Sequence, residues 1–298
     1  MKSSYILLKL IVPAFLLILL SACNDEYDFE FEDQTPLLVV EGKITNQPGP
    51  YYVRLSESIK EVVDPNNSGS SKPVSKGIDN AQVTLNDDAG NSETLRYIGE
   101  KPNTFSEGDG WYVIENTTGV VGRTYTLSIT WNNKNFTAAD KMEAVPEIER
   151  VGFRTKHLEA KNEDVDIPLI YFNEPQDTEN YYLMYFSADG YIGSNRNWAY
   201  SILNDDHLDA YVNGLEIDDG QSPSGRDFYS YIREGATVVV YLESLSEPAY
   251  NFYRAVINQF NADGGAFSPN PASPTTNVSG NAQGFFYASA VSIKTTVR

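Results

Sequence analysis

Apolar residues recur with a period of two along most of this chain, in short segments separated by turn-forming clusters. The clearest case is Thr124-Tyr125-Thr126-Leu127-Ser128-Ile129-Thr130, whose alternation puts Tyr125, Leu127 and Ile129 on one face of a strand. Leu37-Leu38-Val39-Val40 is continuously apolar and reads as a buried first strand. Tyr51–Leu55, Ala81–Leu85, Glu93–Tyr97, Trp111–Ile114 and Lys134–Ala138 bring the set to about seven, the number of an immunoglobulin-like sandwich. Asn46-Gln47-Pro48-Gly49-Pro50, Asp87-Asp88-Ala89-Gly90 and Asn132-Asn133 supply the turns, through the fixed φ of Pro and the tolerance of Gly and Asn for positive φ. The chain has one Cys, so no internal disulfide staples the sheets and packing alone must hold them.

The second half repeats the strand signal at Ile148–Phe153, Ile167–Phe172, Tyr181–Ser187, Trp198–Leu203, Phe228–Ile232 and Thr237–Ser244, and ends on an extended segment, Gly284–Val297. One helix is expected over 247–261. Ser246 is its N-cap, Pro248 sits in the first turn, and Tyr250, Tyr253, Val256, Ile257 and Phe260 recur at helical spacing before Gly264-Gly265. Glu143-Ala144-Val145-Pro146-Glu147 reads as a joint. The expected organisation is all-β: an immunoglobulin-like β-sandwich over 36–145, then a second β-rich domain over 146–298 carrying one amphipathic helix.

Residues 1–22 have the composition of a signal peptide. Lys2 and Lys9 supply positive charge, and Leu10–Leu20 is apolar but shorter than the roughly 20 residues a spanning helix needs. The run closes on Leu20-Ser21-Ala22-Cys23, which resembles a bacterial lipobox, with Cys23 as the site of lipidation by fatty acyl chains such as palmitate. Each buried CH₂ contributes about 0.8 kcal/mol, so two or three such chains make a lasting membrane anchor. Residues 23–35 then form an acidic tether, with six acids among the ten residues Asn24–Asp33. Asp25, Glu26 and Asp28 resemble the surface-export signal of lipoproteins that face the cell exterior.

The 298 residues hold 22 Lys+Arg against 41 Asp+Glu, a formal charge of −19. Clustered cations for phosphate are missing, so a nucleic-acid partner is not expected. With one Cys and two His, no metal site and no cofactor are expected. Asn204-Asp205-Asp206-His207-Leu208-Asp209 lacks the ligand spacing of a calcium loop and reads as a solvated acidic turn. No G-x-S-x-G and no phosphate-binding Gly motif occurs, and no catalytic residue is assigned. The chain holds 20 Tyr, 14 Phe and 3 Trp, a composition that suits pleated, half-buried surfaces. Trp111, Trp198 and Tyr200 are the candidate ligand-binding platforms among them, for a glycan or a peptide.

Several segments together resemble a family of Bacteroidetes outer-membrane lipoproteins with a central domain of unknown function. They are Cys23, Leu38–Thr45, Pro48–Leu55, Ala81–Leu85, Gly122–Leu127, Asn180-Tyr181-Tyr182, Tyr250–Tyr253 and Asn277–Phe286. The resemblance implies an accessory role beside a TonB-dependent receptor in nutrient uptake, on the outer membrane and facing outward. It brings no catalytic residues. A structural or adhesive surface module, and a hydrolase with an unrecognised site, are the two alternatives.

Overall fold

The computed structural model describes residues 36–58, 75–102, 108–158, 162–192, 201–217, 232–261 and 274–298. In chain order the strands are β1 (Leu38–Thr45), β2 (Tyr51–Glu57), β3 (Gln82–Asp87), β4 (Ser92–Thr94), β5 (Arg96–Gly99), β6 (Trp111–Ile114), β7 (Thr124–Trp131) and β8 (Lys134–Lys141). There follow β9 (Arg150–Leu158), β10 (Glu163–Asn173), β11 (Tyr181–Ala188), β12 (Tyr191–Ile192), β13 (Ser201–Asn204), β14 (Tyr211–Glu216) and β15 (Thr237–Leu245). The helix α1 (Glu247–Asn261) precedes β16 (Ala282–Ser289) and β17 (Val291–Val297). Among the described residues the protein is all-β apart from that helix. Among the described residues no helix is long and apolar enough to cross a membrane.

Two sheets form the first sandwich, one in the order β16-β1-β2-β6-β5 and the other β4-β3-β7-β8. Val40, Val53, Leu55 and Ile114 from one sheet meet Val83, Leu85, Leu127 and Ile129 from the other in a single core. The alternation read in β7 is the inward face of that core, with Tyr125, Leu127 and Ile129 each at most 1% exposed. Asn132 and Asn133 join β7 to β8 with φ of 48° and 57°, the positive values a tight two-residue hairpin requires. The Tyr125 hydroxyl accepts the Val120 N–H at 2.8 Å, the tyrosine-corner device of immunoglobulin-like sandwiches.

The second half packs a β14-β10-β9 sheet against a β12-β11-β15-β17 sheet, with β13 also paired to β11. Ile170 and Phe172 of β10 face Tyr182, Met184 and Phe186 of β11 and Val238, Val240 and Leu242 of β15 across the second core. The opposite face of β11 and β15 carries Leu183 and Leu245, which pack under α1 with Ala249, Tyr253 and Phe285. The helix starts where its cap predicts: Ser246 Oγ accepts the Ala249 N–H at 3.2 Å. Tyr253 and Val256 turn inward, while Tyr250 and Ile257 lie half-buried.

Two segments read as single strands are each two, and both change sheet. Glu93–Tyr97 divides at buried Leu95 into β4 of one sheet and β5 of the other. Gly284–Val297 divides at buried Ala290 into β16, which pairs β1, and β17, which pairs β15. The expected boundary at residue 145 falls between β8 and β9, yet β16 crosses it to run parallel to β1 from Leu38↔Ala282 to Thr45↔Ser289. Pro36–Arg298 accordingly clusters as one unit. Gly284 permits this pairing: its φ is +92°, and a Cβ there would lie 2.0 Å from the Val40 carbonyl oxygen. Asn277 extends the contact by bonding both the carbonyl and the N–H of Phe286 through its side chain, at 2.6 and 3.1 Å. The expected strand Phe228–Ile232 lies mostly outside the described residues.

Candidate ligand site

The loop from β10 to β11, Asn173–Asn180, forms one wall of a pocket. Its anchor is Glu174, 4% exposed, whose two carboxylate oxygens accept the Tyr182 hydroxyl at 2.9 and 3.0 Å. Burial raises the Glu174 pKa against the opposing pull of the Tyr182 and Asn180 hydrogen bonds, and the nearby Asp205 charge raises it further. The Asn180 side-chain amide donates to Glu174 at 2.9 Å and to the Thr178 carbonyl at 3.1 Å, and its backbone N–H donates to Asp205 at 2.9 Å. The loop is therefore tied to both its own base and the turn after β13.

The facing wall is the segment 144–149 that leads from β8 to β9. It is held by the Ile148 N–H on Ser292 Oγ at 2.9 Å, the Glu149 N–H on the Tyr171 carbonyl at 2.9 Å, and Ser244 Oγ donating to the Glu143 carbonyl at 2.7 Å. Between the walls lies a cavity of about 420 Å³, within the size range of small-molecule sites. Ala144, Val145, Pro146 and Pro175 give it apolar surface; Glu147, Glu149, Asn173, Thr178 and Asn180 give it polar groups. A second, more open cavity of about 420 Å³ lies on the other flank of the loop, sharing Pro175 and Thr178 and lined by Asp177, Glu179, Asp205 and Asp206. The two cavities together present carboxylates, amides and apolar surface.

A second cluster of polar chemistry sits where β1, β11, β15, β16 and α1 meet. Glu243, 1% exposed, receives the Lys43 ammonium at 2.8 and 3.1 Å and the Tyr185 hydroxyl at 2.7 Å. Burial pulls the Lys43 pKa down, but the charges of Glu243, Tyr185 and Tyr253 outweigh it and hold the ammonium above its ordinary value. The Tyr253 hydroxyl donates to Tyr287 at 2.9 Å, and Lys43 Nζ lies 5.8 Å from the Tyr287 ring centroid. On β8, Asp140 lies on the face that carries Phe136 and Ala138 into the first core; it is 6% exposed and accepts the Ala288 N–H at 3.0 Å. Burial pushes its pKa up to about 6 against hydrogen bonds from Ser246 and two backbone amides. These groups are committed to one another, so the corner ties elements together and leaves no open donor set.

Of the residues singled out in the sequence, Cys23, Asp25, Glu26, Asp28, Trp198 and Tyr200 lie outside the described residues. Trp111 is 8% exposed, its indole N–H donates to the Gly108 carbonyl at 3.1 Å, and the Lys101 ammonium lies 5.0 Å from its ring centroid. The ring is thus largely covered, on the face of β6 opposite to Tyr112 and Ile114. Asp205, read as part of a solvated turn, instead anchors Asn180. Among the described residues no group of three or more His, Cys, Asp or Glu side chains could hold a metal ion. Glu147, Glu149 and Asn173 carried no motif. The joint at 143–147, Asn180-Tyr181-Tyr182 and the acidic turn at 204–209 marked this region in the sequence, none of them as a binding site.

Comparison with curated proteins finds no match. A family described as a domain of unknown function (DUF4249) matches residues 24–295, nearly the whole length of the chain, and the protein belongs to that family.

Proposed function

We propose that the protein is a surface-exposed outer-membrane lipoprotein that binds a ligand as the accessory partner of a TonB-dependent receptor in nutrient uptake. The observation that carries the reading is Cys23, the chain's one Cys, which follows Leu20-Ser21-Ala22 at the end of an apolar run and precedes six acids. Residues 23–35 span at most about 45 Å when fully extended, which bounds the distance between the lipid and Pro36. β1 runs about 26 Å away from that entry point. Wall segment 144–149 is fixed beside Ser289 and Ser292, at the far end of β1 and β16.

Metabolic labelling with a palmitate analogue tests the anchor: the intact chain incorporates label and Cys23→Ser does not. Protease treatment of whole cells tests the face, with cleavage expected. Extraction of outer membranes in mild detergent, followed by affinity capture of the lipoprotein, tests the partnership. A receptor-sized protein is expected to co-purify. Capture of the lipoprotein alone, together with lost adhesion on deletion, favours a structural or adhesive module instead.

A further inference from the structure

Among the described residues β17 is an edge strand, hydrogen-bonded in its sheet to β15 alone. Its register fixes which residues face the open side. At the two ends of this ladder the Ser244 N–H donates to the Ala290 carbonyl at 2.9 Å and the Arg298 N–H to the Ala236 carbonyl at 3.0 Å. The even-numbered residues of the strand therefore bond β15, and the backbone groups of the odd-numbered ones point away from it. Side chains close the first odd position: the Val291 N–H donates to Asn46 Oδ1 at 2.8 Å, and Gln47 Nε2 donates to the Val291 carbonyl at 3.0 Å. No described residue does the same at Ile293, Thr295 or Val297. All three are β-branched, and their side chains are exposed, Ile293 by 42% and Val297 by 65%. Open N–H and carbonyl groups along an exposed β-branched strand are a template for a further strand.

We propose that the occupant of this edge is β17 of a second copy, paired antiparallel about a two-fold axis at Thr295. In that register Ile293 meets Val297 of the second copy, Thr295 meets Thr295, and every open N–H and carbonyl finds a partner. Charge singles out this register. A two-fold at Lys294 would oppose that ammonium to itself, and one at Thr296 would oppose it to Arg298, whereas the axis at Thr295 opposes Lys294 to Thr296. On the outer face Ile293 lies beside Tyr241, which stacks on Tyr185 with ring centroids 4.6 Å apart, and Val297 of the second copy extends that row. The flanking strand agrees. The Ile148 N–H on Ser292 Oγ, and the Arg298 guanidinium 5.2 Å from the Phe153 ring centroid, set β9 beside β17 and running the same way. Glu147 and Glu149 thus lie level with Ser292, and Arg154 and Lys156 level with Arg298 and beyond. The axis opposes Arg298 to Ser292 of the second copy, and so sets the cations of one copy towards the acids of the other.

Sedimentation velocity of the full-length protein in a density-matched mild detergent tests this. The protein mass is expected to rise from one chain to two with concentration. Thr295→Lys and Thr295→Glu each place like charges across the axis, and each should raise the dissociation constant about tenfold or more. An equimolar mixture of the two should dimerise at least as well as the wild type. Thr295 is exposed, so the urea midpoint of the dilute protein should not move in either variant. Val120→Lys, at an apolar position 51% exposed on the first sandwich, should leave assembly unchanged. Hydrogen exchange adds a local readout: the amides of Ile293, Thr295 and Val297 should be protected in the dimer and fast in Thr295→Lys. A single chain at every concentration overturns the proposal, as does a dimer that persists in both charged variants or a mixture that fails to restore it. Protection of those amides in a monomer only when outer-membrane extract is added assigns the edge to a different protein and overturns the second copy as its occupant.

Discussion

The two faces of β1 belong to two different kinds of interior. Its inward face, Leu38, Val40 and Ile44, enters a core of aliphatic and aromatic side chains shared with β2, β3, β6 and β7. Its outward face presents Lys43 to Glu243 of β15, in a corner of tyrosines and buried acids under α1. The first interior is held by apolar burial, which is non-directional and insensitive to pH. The second is held by hydrogen bonds and charges, each of which depends on a particular partner staying in place. Local pattern is enough to assemble the first, whereas the second exists only after β15 and β16 have returned to β1.

That contrast can be tested at its strongest point by cutting into the dry core. Leu127→Ala should cost about 3 to 4 kcal/mol, read as a lowered urea midpoint, and by the same amount at pH 5 and pH 8. A strongly pH-dependent loss would show that the two interiors are not separable. Where β8 meets β16, the group to watch is Asp140. Its folded pKa, about 6, lies above the ordinary value of 3.8. The native state therefore holds the proton more tightly, and the stability this gives is present below about pH 4 and is lost as pH rises to 6. At about 1.4 kcal/mol per pKa unit the loss is at most ~3 kcal/mol. Asp140→Asn should flatten that part of the stability profile; an unchanged profile assigns the slope to other groups.

A smaller effect is expected at Glu243→Gln, where one half of the carboxamide cannot accept from Lys43 or Tyr185. The cost should be about 2 kcal/mol, kept from being larger because the Lys43 side chain is 38% exposed and water can solvate it. Smallest of all is Glu93→Gln. Glu93 accepts the backbone N–H groups of Glu115, Asn116 and Thr117 at 2.8, 3.0 and 2.8 Å. Burial acts to raise its pKa, but the Thr117 hydroxyl and these amides outweigh it and hold the carboxyl below its ordinary value. Its contribution is thus present above pH 4.5 and lost as pH falls, the reverse of Asp140. Replacement should cost about 1 kcal/mol at pH 7 and less in acid. A gain in stability in neutral solution would contradict the reading.

The same division governs what could be read from the sequence. The β7–β8 hairpin was legible because Tyr125, Leu127 and Ile129 alternate without interruption and Asn132-Asn133 has the chemistry of its turn. The helix was legible because Ser246 and the spacing of Tyr253 and Val256 are local signals. The changes of sheet at Leu95 and Ala290 were not, because an apolar residue that moves between sheets keeps the same pattern of burial. Nor was the parallel pairing of β16 with β1, since periodicity shows that a strand forms and not which strand receives it. The pocket arises where two loops distant in sequence come together, and among 41 acids nothing local distinguishes Glu147 or Glu149. Glu243 did carry a signal, as the one acid inside the apolar strand Thr237–Leu245.

Pro36–Arg298 is expected to unfold as one cooperative body, because β16 completes the first sheet. Native-state hydrogen exchange across a urea series measures this directly. Amides of β1, β11 and β16 are predicted to open together, with a common free energy and a common urea dependence. Opening of β11 and β15 at low urea while β1 and β7 stay protected would contradict the claim and restore two independent domains divided near residue 145.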